Sequence, residues 1–325
     1  MRIYRDIADF TPLDNAVVTI GTFDGVHIGH QKILSTLKAC ARDINGESVL
    51  LTFFPHPRLI LHPEDDSLRL INDLSEKIDL IAKAGIDHLI ITPFTRDFSN
   101  QSPEEYIRDI LVSKIGTRKI VIGYDHRFGK DRIGSLPDLL KFADIYGYEV
   151  EQIPEQDIED VAVSSTKIRE SLIKGDIQTA NNYLGYPFLL SGTVVRGNQL
   201  GRQMGFPTAN LQIAETHKLI PAYGIYAVEV AMIHPQEVKT GGYMPEQPSL
   251  VAPGMGYIGN RPSVDGLERS IEVHLFDFDQ DLYGKTLRVK FLHFIRHDQW
   301  FGSIDELTEQ MQEDEKKARE LLLAD

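Results

Sequence analysis

The sequence predicts two domains in series: an α/β domain on an open parallel sheet, then a smaller antiparallel β-barrel with a terminal helix. Three observations predict this. From residue 16 to about 150, short apolar runs alternate with helical patterns, the rhythm of βαβ units. From residue 188 onward, strand patterns follow one another without intervening helices, separated by Gly- and Pro-rich loops, as in a small barrel. Between the two lies the breaker run Leu184-Gly185-Tyr186-Pro187, which sets a boundary between 1–186 and 187–325 and implies that each part closes its own core.

The elements follow in order. In the first part, the apolar runs Val17–Phe23, Ser48–Phe54, His88–Thr92, Lys119–Gly123 and Glu149–Ile153 predict strands. Helical periodicity predicts helices near 31–44, 75–84, 103–115 and 135–146. Two short helical segments, Thr166–Lys174 and Asp176–Leu184, lead up to the boundary. Beyond it, strands are predicted over Phe188–Arg196, Ile225–Met232, Ser270–Asp277 and Thr286–Phe294. Residues 233–254 carry four prolines and Gly241-Gly242, so a long exposed loop is expected there. A helix from Ile304 to about Leu323, with a ragged apolar stripe, is expected to dock on the barrel.

Composition narrows the function classes. The 325 residues are 42% hydrophobic and 25% charged, a globular balance. No run approaches the ~18 apolar residues of a membrane helix, and the start lacks a signal-peptide core, so the chain reads as cytoplasmic with no membrane partner. The single cysteine, Cys40, excludes an internal disulfide and falls in step with Leu34 and Leu37 as a small core residue. A formal net charge of -14 disfavours a nucleic-acid partner, since each phosphate contact needs a Lys or Arg. A small anionic substrate would be held by local N–H groups, a few cations and Mg²⁺. The oligomeric state is left open.

The strongest local signal is Gly21-Thr22-Phe23-Asp24-Gly25-Val26-His27-Ile28-Gly29-His30, between a predicted strand and a helix starting near Gln31. Glycines admit a phosphate close to the backbone, and the free N–H groups of a helix start point at it. The spacing matches neither a Walker A loop nor a GxGxxG turn. Two imidazoles flanking a glycine can donate to non-bridging phosphate oxygens, which suits attack at phosphorus; the alternatives are a zinc pair or two surface histidines. The loops after the other predicted strands, Phe54-Pro55-His56-Pro57, Thr92-Pro93-Phe94, Gly123–Gly129 and Ser164–Arg169, fall on the same rim, where open sheets bind ligands. Phe54 and Phe128 can stack a ring system or simply serve the core.

In the second part, Gly201, Arg202 and Gly205 form a loop able to wrap phosphates, running into Thr208 and Asn210, whose neutral oxygens can support a Mg²⁺ held mainly by ATP. The alternative is a flexible hairpin loop. In Ile271–Leu275, alternation puts Glu272 and His274 on the face opposite the aliphatics, where a carboxylate can act as general base or simply be solvated.

The tetrad His27–His30 together with Ser164-Ser165-Thr166-Lys167-Ile168-Arg169 resembles the HxGH nucleotidyltransferase superfamily. The longer wording GTFDGVHIGHQ, FFPHP, GYDHRFG and VSSTKIRE is similar to bacterial FAD synthetase, and LGRQMGFPTANL, YGIYAV, IEVHLFDFDQDLYGK and FLHFIR are similar to riboflavin kinase. That bifunctional family phosphorylates riboflavin in its C-terminal domain and adenylylates FMN in its N-terminal one. The resemblance implies riboflavin, FMN and ATP as substrates, FAD as product and Mg²⁺ as cofactor. It implies ATP contacts at Gly21, Phe23, Asp24, Gly25, His27, His30, Ser164, Ser165, Thr166 and Arg169, with His27 and His30 catalytic. It implies a flavin side at Phe54, Pro55, His56, Asp125 and Phe128, with Asp125 near metal or flavin. In the kinase half it implies Gly201, Arg202, Gly205, Thr208 and Asn210 for Mg-ATP, Glu272 as catalytic base and Arg296 toward the flavin. Three positions depart from the pattern: His126 stands for Phe, Tyr257 for Asn, and Asp298 for Glu. Rival readings are another HxGH adenylyl- or cytidylyltransferase with an accessory barrel, an aminoacyl-tRNA synthetase and a catalytically idle flavin-binding module.

Overall fold

The computed structural model describes residues 1–154, 163–197, 200–234, 238–245, 247–263 and 266–324. Packing divides the chain into two compact units. The first comprises Met1–Leu68, Lys77–Ser164 and Glu237–Pro245, the second Arg69–Glu76, Ser165–Gln236 and Glu246–Asp325.

The first unit is built on a seven-stranded sheet. Its strands are β1 (Arg2–Tyr4), β2 (Ala16–Ile20), β3 (Glu47–Phe53), β4 (His88–Thr92), β5 (Thr117–Gly123), β6 (Glu149–Ile153) and β10 (Gly241–Gly242), in the order β10-β1-β4-β3-β2-β5-β6. Strands β1 to β6 pair in parallel, as the alternating pattern predicts. β2 lies inside the sheet, between β3 and β5, and is buried at every residue, which is why its sequence is a continuous apolar run rather than an alternation. The expected exposed loop over 233–254 is partly ordered strand instead. Gly241-Gly242 adds to β1 as an antiparallel edge, and the Thr240 hydroxyl donates to Asp9 Oδ2 at 3.0 Å. This edge is made by backbone alone, so its residue types read as breakers. The helix expected over 103–115 is α-helical only over Pro103–Glu105, under a Ser102/Glu105 capping box, and π-helical over Tyr106–Ile115.

The second unit holds a closed antiparallel barrel, β11-β12-β8-β7-β13-β9, formed by β7 (Phe188–Val195), β8 (Ala209–Gln212), β9 (Gly224–Ile233), β11 (Leu250–Ser263), β12 (Gly266–Leu275) and β13 (Thr286–His297). β8 and β11 escaped the sequence reading. β11 carries Pro253, Gly254, Gly256 and Gly259, yet pairs on both sides, with β9 and β12, and so closes the barrel. At Gly254 a Cβ would stand 2.5 Å from the His274 carbonyl oxygen, so the close approach of β11 to β12 there needs glycine. The terminal helix Ile304–Ala324 docks through Ala318, which packs with Ile225, Ala227, Met255 and Phe276.

The packing units divide at Ser164/Ser165. The helices Ser165–Lys174 and Ile177–Leu184 group with the barrel, where the Asn181 side chain donates to Phe291 O and accepts from Phe188 N–H, each at 2.8 Å. Residues 69–76 join the same unit. Lys218 Nζ donates to Glu76 Oε2 and to Ile71 O, each at 2.5 Å, with both side chains of the ion pair fully buried. Glu76 Oε1 accepts from Ser191 at 2.9 Å, and burial pushes its carboxyl pKa up against the pull of Lys218.

Candidate functional site

In the first unit the strand order switches between β2 and β5, so the loops leaving their carboxyl ends run apart and leave a crevice. It is a cavity of about 720 Å³ whose wall includes Gly21, Phe23, His30, His56, Asp125 and Phe128. The turn after β2 is strained. Phe23 (φ 47°) and Val26 (φ 36°) sit in the left-handed region beside Gly25 (φ 88°), an arrangement costing about 1–2 kcal/mol per non-glycine residue that folds retain at functional turns. Lys77 Nζ anchors the turn by donating to Thr22 O at 2.9 Å.

The helix expected near Gln31 starts at Ile28, with His27 as its N-cap. His27 Nδ1 accepts the His30 backbone N–H at 3.3 Å, which puts the proton of a neutral His27 ring on Nε2. The His27 and His30 rings stack with centroids 3.7 Å apart and planes 16° from parallel. Burial, then the charges of His27 and Lys77, hold the His30 pKa well below the usual histidine range, so the ring is neutral at pH 7. Its Nδ1 is buried with no hydrogen-bond partner among the described residues, and so is the hydroxyl of Tyr106, another wall residue. A buried polar atom left unpaired costs about 1–3 kcal/mol, which a ligand in the cavity would recover. Asp24 is 3% exposed and its charge opposes the burial that lowers the Lys77 pKa. Lys77 was missed in the sequence because a lysine in an amphipathic helix reads as solvated; only the fold buries it beside the turn.

Also lining the cavity, His126 stacks on Phe128, centroids 5.9 Å apart. Burial pushes its pKa down to about 4 against the pull of Asp125. Phe53, His56 and Pro57, the chain neighbours of Phe54 and Pro55, line the cavity. Ser165, Thr166 and Arg169 lie in the second unit, where Arg169 Nε donates to Arg69 O at 2.6 Å; Ser164 ends the first.

In the second unit, the loop with Gly201, Arg202 and Gly205 is a compact turn, with Phe206 N–H donating to Gly201 O at 2.8 Å. It delivers Thr208, whose hydroxyl donates to Glu272 Oε2 at 2.7 Å. Ser270 Oγ donates to Glu272 Oε1 at 3.0 Å, and Asn210 on β8 faces Glu272 directly across the ladder. Thr208, Asn210 and Glu272 are thus one cluster. Ser270 was missed although two-residue alternation places it on the face of Glu272. Arg296 is held by Asp314 of the terminal helix through contacts of 2.7–3.0 Å, and its guanidinium lies over Phe301.

Comparison with known proteins agrees with both halves. The family model described as FAD synthetase matches residues 10–167, and the one described as riboflavin kinase matches 184–322. Proteins named bifunctional riboflavin kinase/FMN adenylyltransferase are similar along nearly the whole chain. The Escherichia coli K12 protein is 36% identical, with 98% of this chain and 97% of that protein covered. The Haemophilus influenzae protein is 36% identical with 94% of each covered. The Listeria monocytogenes protein is 34% identical with 94% and 92% covered. A solved structure described as a macrolide-efflux protein from Streptococcus pneumoniae is 30% identical and shares the fold at a TM-score of 0.84 over 98% of both chains. Among the described residues of this chain, no helix is long and apolar enough to cross a membrane. Its two halves, each matched by its own model, and the relatives matched from end to end place the chain in the bifunctional riboflavin kinase/FMN adenylyltransferase family.

Proposed function

We propose that the chain carries out two successive ATP-dependent reactions, phosphorylating riboflavin to FMN in the barrel unit and adenylylating FMN to FAD, with release of pyrophosphate, in the sheet unit. The observation that carries the reading is the stacked His27–His30 pair at a helix start beside a large cavity, in a chain that also holds a base-like cluster around Glu272. The two sites suit their nucleophiles. The FMN phosphate is already anionic near pH 7 and needs donors for the developing charge, not a base. His27 and His30 supply such donors, with Lys77 and the N–H groups of the helix start. The cavity takes the flavin, with His56, Asp125 and Phe128 on its wall.

A ribityl hydroxyl is neutral and needs its proton removed. Glu272 accepts that proton, the Thr208 and Ser270 hydroxyls fix its carboxylate, and the γ-phosphoryl group passes from the β-phosphate oxygen of ATP to the hydroxyl oxygen, releasing ADP. Thr208 and Asn210 offer neutral oxygens to Mg²⁺, which the ATP phosphates chiefly hold and which neutralises their charge. Gly201, Arg202 and Gly205 wrap the nucleotide. In the sheet half, Gly21–Gly25 form the ATP turn. Arg296, oriented by Asp314, lies on the flavin side of the kinase site. Incubating the protein with riboflavin, ATP and Mg²⁺ and separating the flavins by chromatography tests the reading: FMN then FAD is expected. Riboflavin left unchanged would overturn the kinase assignment, and FMN supplied but never adenylylated would overturn the other.

A further inference from the structure

The barrel brings the polar residues of the second unit into one cross-strand row. Asn210 on β8 faces Glu272 on β12, Glu272 faces Tyr257 on β11, Tyr257 faces Ile225 on β9, and Ile225 faces Arg296 on β13. Directly opposed residues of an antiparallel ladder share a face, so Asn210 and Tyr257 flank Glu272 from its two sides. The Tyr257 side chain is fixed in place. Its hydroxyl donates to Asp298 Oδ2 at 3.2 Å, beyond the end of β13, and its ring lies over Gly259, where a Cβ would stand 1.9 Å from the Tyr257 oxygen. The same ring packs against the cluster of Met255, Ile225 and Ala318 that anchors the terminal helix.

In-line phosphoryl transfer puts donor and acceptor on opposite sides of the moving phosphoryl group. With the nucleotide on the Thr208/Asn210 side of Glu272, the body of the acceptor lies on the other side, across Tyr257. We propose that Tyr257, held by Asp298, is a positioning residue that seats the polyol chain of a flavin so that its terminal hydroxyl reaches Glu272. This rests on the kinase reading of the barrel unit. The two positions that depart from the family wording are therefore one device: the tyrosine supplies the surface and the aspartate holds it.

The test uses the full chain and steady-state phosphorylation of riboflavin, with FMN adenylylation as internal control. Tyr257→Phe keeps the ring and loses the latch; Asp298→Ala loses it from the other side. Each is expected to raise the riboflavin KM about 5–10-fold, the scale of one ordinary hydrogen bond, with kcat within about 2-fold and the ATP KM unchanged. The double variant should be no worse than either single one, since both remove the same contact. Asp298→Asn, which keeps an acceptor, should stay within about 2-fold of the parent. Titration of riboflavin fluorescence without ATP should show the same ratios in binding. An unchanged riboflavin KM in Tyr257→Phe, additive losses in the double variant, or a fall in kcat at constant KM would each overturn the inference. Absence of riboflavin phosphorylation in the parent protein would instead overturn the kinase reading and the inference with it.

Discussion

The two sites are built by opposite means. The sheet unit makes its site from loops at the switch between β2 and β5, in a turn with two strained residues, and leaves His30 Nδ1 and the Tyr106 hydroxyl buried without hydrogen-bond partners among the described residues. The barrel unit makes its site on the faces of hydrogen-bonded strands, and Glu272 is bonded to Thr208 and Ser270 before any ligand arrives. A site waiting for a polyanion can hold unsatisfied donors, because the ligand satisfies them. A site that must keep a carboxylate basic and aimed has to fix it in advance. The difference teaches that the chemistry of the nucleophile, anion or hydroxyl, sets how finished the empty site is.

Substitution at Glu272 should show the contrast most strongly. Glu272→Gln keeps size and most hydrogen bonding while removing basicity, so riboflavin phosphorylation should fall by about 10²–10⁴-fold. FAD formation from supplied FMN should persist. Wild-type phosphorylation in folded Glu272→Gln protein would remove the base and with it the contrast.

Next in size is the scaffold beneath the barrel site. Lys218→Ala would leave the fully buried Glu76 without its cation, a loss of about 3–5 kcal/mol, read as the denaturant midpoint for unfolding of that unit. A fragment 187–325 omits Glu76 and should share the defect, whereas adding a peptide 69–76 should raise its midpoint. A fragment as stable as the intact unit would show that the 69–76 segment is dispensable.

His30→Ala should cut FAD formation by about 10²-fold, the scale for losing one transition-state donor, with riboflavin phosphorylation nearly intact. Equal loss of both activities would mean that the two sites are not chemically separate.

The smallest effect concerns pH. Burial holds His126 at about 4, below the 6.5 of an unperturbed histidine, so between these values the unfolded chain takes up a proton that the folded chain does not. The stability from this group is present above about pH 6.5 and is lost as the pH falls toward 4, by about 3 kcal/mol. Urea unfolding of the parent and of His126→Phe at pH 7 and pH 4.5 should show a smaller drop in the variant. An identical drop would place His126 in water and leave the cavity wall less closed than the barrel site.

The sequence by itself determined the two fold classes, because periodicity is a property of neighbouring residues: the rhythm of β2 to β6 with their helices and the helix-free strands of the barrel were legible without coordinates. It also determined the chemistry-bearing turns, His27–His30 and Thr208–Asn210, since a glycine or a hydroxyl at a fixed offset announces itself locally. Its failures share one cause. β1, β8, β10 and β11 are short or rich in glycine and proline, and they become strands through partners far away in the chain. Residues 69–76 read as part of the first domain, yet their hydrogen bonds go to His217, Lys218 and Ser191. Lys77 and Tyr106 read as ordinary helix residues until burial beside the cavity altered their chemistry. Tyr257 and Asp298, 41 positions apart, meet only because β11 and β13 both pair with β9. Burial and cross-strand register depend on residues distant in sequence, so tertiary structure alone decided them.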